Sequence, residues 1–240
     1  MTTFASTMAY RGQGCWCPVC FKEAKQFAEY GFPLRETARC IHCGALERHR
    51  FVWLYFEKMT QLLDGRPKRV LHVAPERCFE ARLRKCIGEG YITADLSSPS
   101  AMVNMDITDI KYPDSYFDVV YCSHVLEHVL DDRKAMRECS RVLKHDGWAL
   151  LLVPITADQT FEPPIVDPLE RLRVFGQKDH VRRYGPDFVD RLREAGFKVR
   201  VSAVSDLFTD AEAARMGLTS ACGEIYYRSK VTDQSEYSPS

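Results

Sequence analysis

Between Arg69 and Pro154 short apolar runs alternate with stretches of helical periodicity, and this alternation narrows the chain to an α/β fold. "RVLHVA" (69–74) reads as a buried strand followed by a helix near 76–87. "YITAD" (91–95) is the next strand and "AMVNM" (101–105) another. "YFDVVYC" (116–122) is a strand leading into a short helix that begins near Ser123. Asp131 or Asp132 then caps a helix running to about Leu143, and the turn "KHDG" introduces the apolar run "WALLLVP" (148–154). The expected architecture is a doubly wound, mostly parallel sheet with helices on both faces. Ligands of such sheets bind beyond the carboxyl ends of the strands.

A second constraint lies at the N-terminus. Cys17-Pro-Val-Cys20 and Cys40-Ile-His-Cys43 form two C-x-x-C knuckles with 19 residues between them. That spacing is in the range of a four-cysteine zinc ribbon, in which each knuckle turns two thiolates toward one tetrahedral ion. Pro18 and Gly44 suit the turns. The expectation is a closed, structural zinc site held by Cys17, Cys20, Cys40 and Cys43. Iron in a rubredoxin-like site, or His42 or Cys15 in place of one ligand, are the alternatives. Ten cysteines in a chain whose N-terminus lacks a basic-then-apolar signal pattern point to a reducing, cytoplasmic setting. No apolar run approaches the roughly 20 residues of a membrane span. The 33 basic and 33 acidic residues cancel, so charge gives no general pull toward nucleic acid or membrane.

Downstream of the knuckles, "ALERHRFVWLYFEKMTQLL" (45–63) reads as an amphipathic helix on Val52, Tyr55, Phe56, Met59, Leu62 and Leu63, ended by Asp64-Gly65. The expected segments are a ribbon at 1–44, a connecting helix at 45–65, the main domain at 66–230 and a polar, disordered tail from Val231. Within the main domain, 155–185 carries Pro163, Pro164 and Pro168 and is long for a connection, as a lid or insertion would be. Asp167 opens a helix there, and Gly185-Pro186-Asp187 opens another that ends at Ala195-Gly196 before "FKVRVSAV".

The string His124-Val-Leu-Glu127-His128 matches the H-x-x-E-H pattern of certain zinc proteases. Its surroundings do not: it follows a strand directly, without the long helix or the downstream acidic ligand that such a protease needs. In this setting His124 stands at a strand's carboxyl end, and Glu127 and His128 read as packing residues of the following turn.

The order of elements resembles the class I S-adenosylmethionine-dependent methyltransferases of the type 11 group. More closely, it resembles a bacterial family of methyltransferases with an N-terminal four-cysteine zinc ribbon. The strings carrying the resemblance are "CPVC", "CIHCGALERHR", "LHVAPE", "YITADL", "MDITDI" and "FDVVYCSHVLEHVLDDRKAMRECSRVLKHDGWALLLVPI", followed by "DPLERLRVFGQKDHVRRYG" and "AGFKV". The resemblance implies a Rossmann-like methyltransferase fold and S-adenosyl-L-methionine as cofactor. It places the cofactor's methionine end in the loop His72-Val73-Ala74-Pro75-Glu76, where the usual G-x-G-x-G is replaced by a glycine-free string. Ala74 keeps some room for close approach, Pro75 stiffens the turn and Glu76 is placed to meet the amino group. Asp95, followed by Leu96, takes the ribose hydroxyls; Asp106 accepts the adenine amino group and Ile107 lines the ring. Cys122 and Ser123 approach the transferring methyl. His124 is the first candidate for a general base, with His180 and Tyr184 next. The expected acceptor is a small molecule. The alternatives are an RNA or protein acceptor docked by the ribbon, or a non-catalytic binding module with a degenerate cofactor loop.

Overall fold

The computed structural model describes residue 10, residues 12–31 and residues 33–230. The expected disordered tail lies outside the described residues. The described residues form two compact bodies: one draws on those up to 66 and on 76–86 and 202–225, the other on 67–75, 87–201 and 226–230. The segments expected from sequence are contiguous; these bodies are not. Among the described residues no helix is long and apolar enough to cross a membrane.

In the first body, β1 (Cys15–Cys17) pairs antiparallel with β2 (Lys22–Ala24), and β3 (Ala28–Tyr30) with β4 (Arg35–Arg39). Helix α1 (Glu47–Met59) is shorter than its apolar pattern predicts. The hydroxyl of Thr60 donates to the Phe56 carbonyl and accepts from the Leu62 amide, so the backbone ladder ends there. Nearly all of α1 from Glu47 to Phe56 is buried rather than a single stripe. Phe79, on α2 (Arg77–Ile87), packs within 6.1 Å of the rings of His49, Trp53 and Phe56.

Arg50 is the hub of this body. Fully buried, it donates from Nε to the Met216 carbonyl at 2.7 Å and from Nη2 to Gly217 at 2.8 Å. Its Nη1 donates to Ala38 at 2.9 Å and Ala45 at 3.0 Å, and the guanidinium lies 3.8 Å from the Phe27 ring centre. Gly217 has φ of +60°, and a side chain there would meet Phe27 at 2.6 Å, so glycine alone lets that carbonyl reach the guanidinium. Lysine cannot span this fork of acceptors. Arg50→Lys is expected to leave one or two carbonyls unpaired and to lower unfolding stability by about 2 kcal/mol. Denaturant midpoints read the loss, and an unchanged midpoint would contradict the hub role.

The second body is built on a seven-stranded sheet. Its strands are β5 (Val70–Val73), β6 (Tyr91–Asp95), β7 (Val103–Asn104), β8 (Phe117–Ser123), β9 (Leu143–Leu152), β10 (Phe197–Ser202) and β11 (Ile225–Lys230). Their spatial order is β10-β11-β9-β8-β5-β6-β7. The pairs from β9 through β8 and β5 to β7 are parallel, and β11 runs antiparallel to β9. From β5 the chain moves outward on one side to β6 and β7, then returns to β8 and β9 on the other. The switch point therefore lies between β5 and β8, where such sheets open a crevice. β5 is buried along its whole length, as a strand covered on both faces requires.

Several local expectations are corrected. The strand expected over 101–105 contracts to two residues, because the Met102 amide donates to the Thr93 hydroxyl instead of a ladder carbonyl. The "KHDG" turn lies inside β9: Phe117 pairs with Leu143 and Val119 with Trp148, so Lys144 to Gly147 bulge out of the strand. The helix expected at Ser123 is a single 3₁₀ turn, Leu126–His128, since Ser123 and the His124 amide still pair with β9. Asp131, not Asp132, caps α3 (Asp132–Val142), accepting from the Lys134 amide at 2.8 Å. Asp167 caps α4 (Pro168–Phe175) in the same way. Helix α5 (Phe188–Glu194) follows Asp187, whose carboxylate is instead taken by Thr160.

Candidate functional site

The carboxyl ends of β5, β6 and β8, with the segment after β7, surround a cavity of about 770 Å³. Ala74 lies on it with φ of +49°, a conformation that usually calls for glycine. Its amide is held by the Ala94 carbonyl at 2.8 Å. The glycine-free loop thus performs the backbone turn that the missing glycine would provide. Asp95 ends β6 and accepts at Oδ1 from the amides of Ser97 (2.8 Å) and Ser98 (2.7 Å). Asp106 accepts at Oδ1 from Thr108 at 2.8 Å. One oxygen of each carboxylate thus fixes its own loop. Leu96 and Ile107 line the same cavity, as does His124, also left-handed at φ +55°. Two of the four non-glycine residues with positive φ among the described residues therefore meet at this cavity, where strained backbone commonly marks function.

The other sequence candidates stand elsewhere. His72 is buried within the sheet, its Nδ1 2.7 Å from the Tyr91 hydroxyl and its ring 4.7 Å from that of Tyr121. Cys122 and Ser123 are buried on β8 and do not line the cavity; neither do Pro75 and Glu76. The Glu76 carbonyl accepts the Phe79 and Glu80 amides at the start of α2. His180 is buried edge-on against His128, with ring centres 4.6 Å apart. Burial lowers its pKa, and the neighbouring His128 acts in the same direction. Tyr184 is wholly buried and donates to Asp132 Oδ2 at 2.6 Å, and burial drives its phenol far above the usual range. It belongs to an internal network, not to the cavity wall. Sequence reasoning missed Met105, His128, Leu130 and Asp179 as lining residues. For Met105 the signal was its place before Asp106. For Asp179 there was none, because the fold alone brings it to the cavity.

A charged network fixes the segment after β9. Arg191 donates to Asp132 Oδ2 at 2.9 Å and to Glu162 Oε1 at 2.6 Å, and Arg182 donates to Glu162 Oε2 at 2.9 Å. Arg182 also donates to the carbonyls of Leu126 and Leu130 at 2.8 Å, which clamps the turn carrying His128. Arg191, with Arg182 assisting, lowers the Glu162 pKa to about 2. The pKa is lower when folded, so the stabilisation is complete above the unfolded value near 4.5 and disappears as pH falls toward 2. The Glu162 side chain is 35% exposed, so solvent weakens the effect. Unfolding midpoints measured between pH 6 and 2 are expected to fall less steeply for Glu162→Gln than for the native chain; equal slopes would contradict it.

The four knuckle cysteines converge. Sγ of Cys17 lies 3.7 Å from that of Cys43, and Cys20 lies 3.7 Å from Cys40. A tetrahedral zinc with Zn–S near 2.3 Å spaces its sulfurs by roughly 3.8 Å, so the cluster fits that ion. Hydrogen bonds among the sulfurs, the one with Cys20 foremost, push Cys17 far up; that with Cys17 draws Cys40 far down. Cys15 donates to the Ala24 carbonyl and His42 Nε2 contacts the Glu23 carbonyl, so neither belongs to the cluster.

Two carboxylates, Asp95 and Asp106, and the left-handed turn at Ala74 meet at the switch point of the parallel sheet in a Rossmann-like body. Residues 58–151 match the family model described as a methyltransferase domain. Over 73 residues it is 38% identical to the uncharacterized methyltransferase YcgJ of Bacillus subtilis, covering 30% of this chain and 28% of that protein. Over 70 residues it is 39% identical to the ubiquinone/menaquinone biosynthesis C-methyltransferase UbiE of Vibrio campbellii, covering 29% of this chain and 24% of that one. The match thus spans about a quarter of these relatives' own length. An S-adenosylmethionine-dependent methyltransferase from Mesorhizobium loti shares the fold: TM-score 0.50 at 16% identity, over 73% of this chain and 96% of that one.

Proposed function

We propose that this protein is an S-adenosylmethionine-dependent methyltransferase acting on a small-molecule acceptor and carrying a structural zinc ribbon. The observation that carries this reading is the meeting of Ala74, Asp95 and Asp106 on one cavity at the sheet's carboxyl edge. Asp95 would accept the ribose hydroxyls and Asp106 the adenine amino group, with Ile107 and Leu96 as the apolar walls. When bound, the cofactor supplies a methyl already activated on a sulfonium sulfur. The protein's task is then to orient the acceptor and exclude water, not to create a strong nucleophile. His124 is the titratable side chain on the wall best placed to take a proton from the acceptor. Its carboxylate neighbour, Glu127 Oε1 at 3.3 Å, would steady the imidazole. His180 and Tyr184 have no direct part in this reading, being buried off the cavity.

The cavity's volume suits a nucleoside cofactor with a small acceptor. UbiE, by its name a C-methyltransferase of quinone biosynthesis, supports a small acceptor. The left-handed Ala74 supports an adapted rather than a degenerate cofactor loop. Cys17, Cys20, Cys40 and Cys43 would hold one zinc in a closed site of structural character. Calorimetry of the zinc-loaded chain with S-adenosylmethionine is expected to show one equivalent bound per chain. Absence of binding would overturn the reading.

A further inference from the structure

We propose that Glu127, His128 and His180 bind a divalent transition-metal ion at the edge of the cavity, separate from the cysteine cluster. One ligand atom from each lies within 4.8 Å of the other two. The approach is built into the backbone: the Val181 amide donates to the Glu127 carbonyl at 2.9 Å, which lays His180 beside a turn more than fifty residues earlier. The H-x-x-E-H string thus contributes two residues to a site whose third member comes from "DHV", while His124 only braces Glu127.

The second observation is the state of Glu127. Its side chain is 2% exposed; Oε1 faces His124 Nδ1 at 3.3 Å, while Oε2 is buried with no hydrogen-bond partner among the described residues. A buried carboxylate oxygen without a partner is costly. A cation between Glu127 and the two imidazoles removes that cost. Asp179 Oδ2 engages His128 Nδ1 at 3.3 Å, the kind of outer carboxylate that orients a ligating imidazole. Hydrogen bonding alone accounts for Oε1 and for the Asp179 contact, but not for Oε2. Two imidazoles and one carboxylate suit zinc, iron(II) or manganese(II), not magnesium or calcium, and three protein ligands leave positions open. His128 lines the cavity, so the open positions are available to an oxygen or nitrogen of a bound acceptor. Occupancy by the ion does not depend on the methyltransferase reading.

The test uses the full chain with one zinc already in the cysteine cluster. Titration with Mn²⁺ followed by electron paramagnetic resonance, and with Co²⁺ by visible absorption, is expected to show one further ion per chain. Glu127→Gln keeps the side chain's shape, and His128→Ala alters a half-exposed residue; each is expected to weaken that binding by at least about 100-fold, beyond the effect of losing an outer partner. Asp95→Ala should retain the further ion while binding S-adenosylmethionine about 100-fold more weakly, which separates failure of this proposal from failure of the methyltransferase reading. No further ion in the native chain, or equal Mn²⁺ binding by native protein and Glu127→Gln, would overturn it.

Discussion

Cys40→Ser is expected to purify with its zinc lost and its first body no longer folding cooperatively. The cluster has four cysteine sulfurs and no spare: Cys15 is committed to the Ala24 carbonyl and His42 to Glu23, so neither stands in for Cys40. The knuckle is also tied to the rest of that body. The Cys40 amide donates to the Ala45 carbonyl at 2.8 Å, and Gly44 donates back to Cys40 at 2.9 Å. Ala45 and Ala38, on either side of Cys40, both accept from Arg50. Structural zinc contributes about 10–16 kcal/mol in isolated finger peptides. Here the aromatic cluster around Phe79 shares the load, so the expected cost is several kcal/mol. Elemental analysis should fall by one zinc per chain, and limited proteolysis should open residues 12–66 first. A Cys40→Ser protein with its zinc and protease resistance intact would refute the structural zinc site.

Asp95→Ala is expected to weaken S-adenosylmethionine binding about 100-fold. A hydrogen bond to a charged group contributes roughly 1.5–3 kcal/mol, and a ribose diol offers two donors to the carboxylate. Alanine would also release the Ser97 and Ser98 amides that Oδ1 holds, so part of the loss could come from a disturbed loop. Asp95→Asn separates the effects. Its carbonyl oxygen can keep both amides, while its NH₂ faces the ligand where an acceptor is needed. Comparable loss in both variants, with unchanged unfolding midpoints for Asp95→Asn, assigns the effect to the ligand. Native-like affinity in Asp95→Asn would remove Asp95 from the binding role.

Signals that are local in origin could be read in the sequence. Apolar runs gave β5, β6 and β8 to within a residue or two, and Asp167 capped its helix where expected. The resemblance over the central string agrees with the domain matched at 58–151. The family's loop pattern asks for glycine, and only backbone coordinates reveal that Ala74 adopts glycine's conformation. The β9 bulge was hidden because "KHDG" has turn chemistry whether it ends a strand or bulges from one. Other features depended on contacts remote in sequence. Glu127 and His180 meet through one backbone hydrogen bond, and Tyr184 loses its hydroxyl to Asp132, 52 residues before it. No periodicity encodes either.

The Arg50 arrangement bears on how portable the cysteine-bearing region is. Its guanidinium takes acceptors from residues 38 and 45 and from residues 216 and 217, so two stretches far apart in the sequence jointly furnish one buried cation with its shell. Grafting the first 66 residues onto another protein would strip half that shell and leave a charge sealed in an apolar interior. Recombination could transplant this region only by carrying along the distant stretch that completes it.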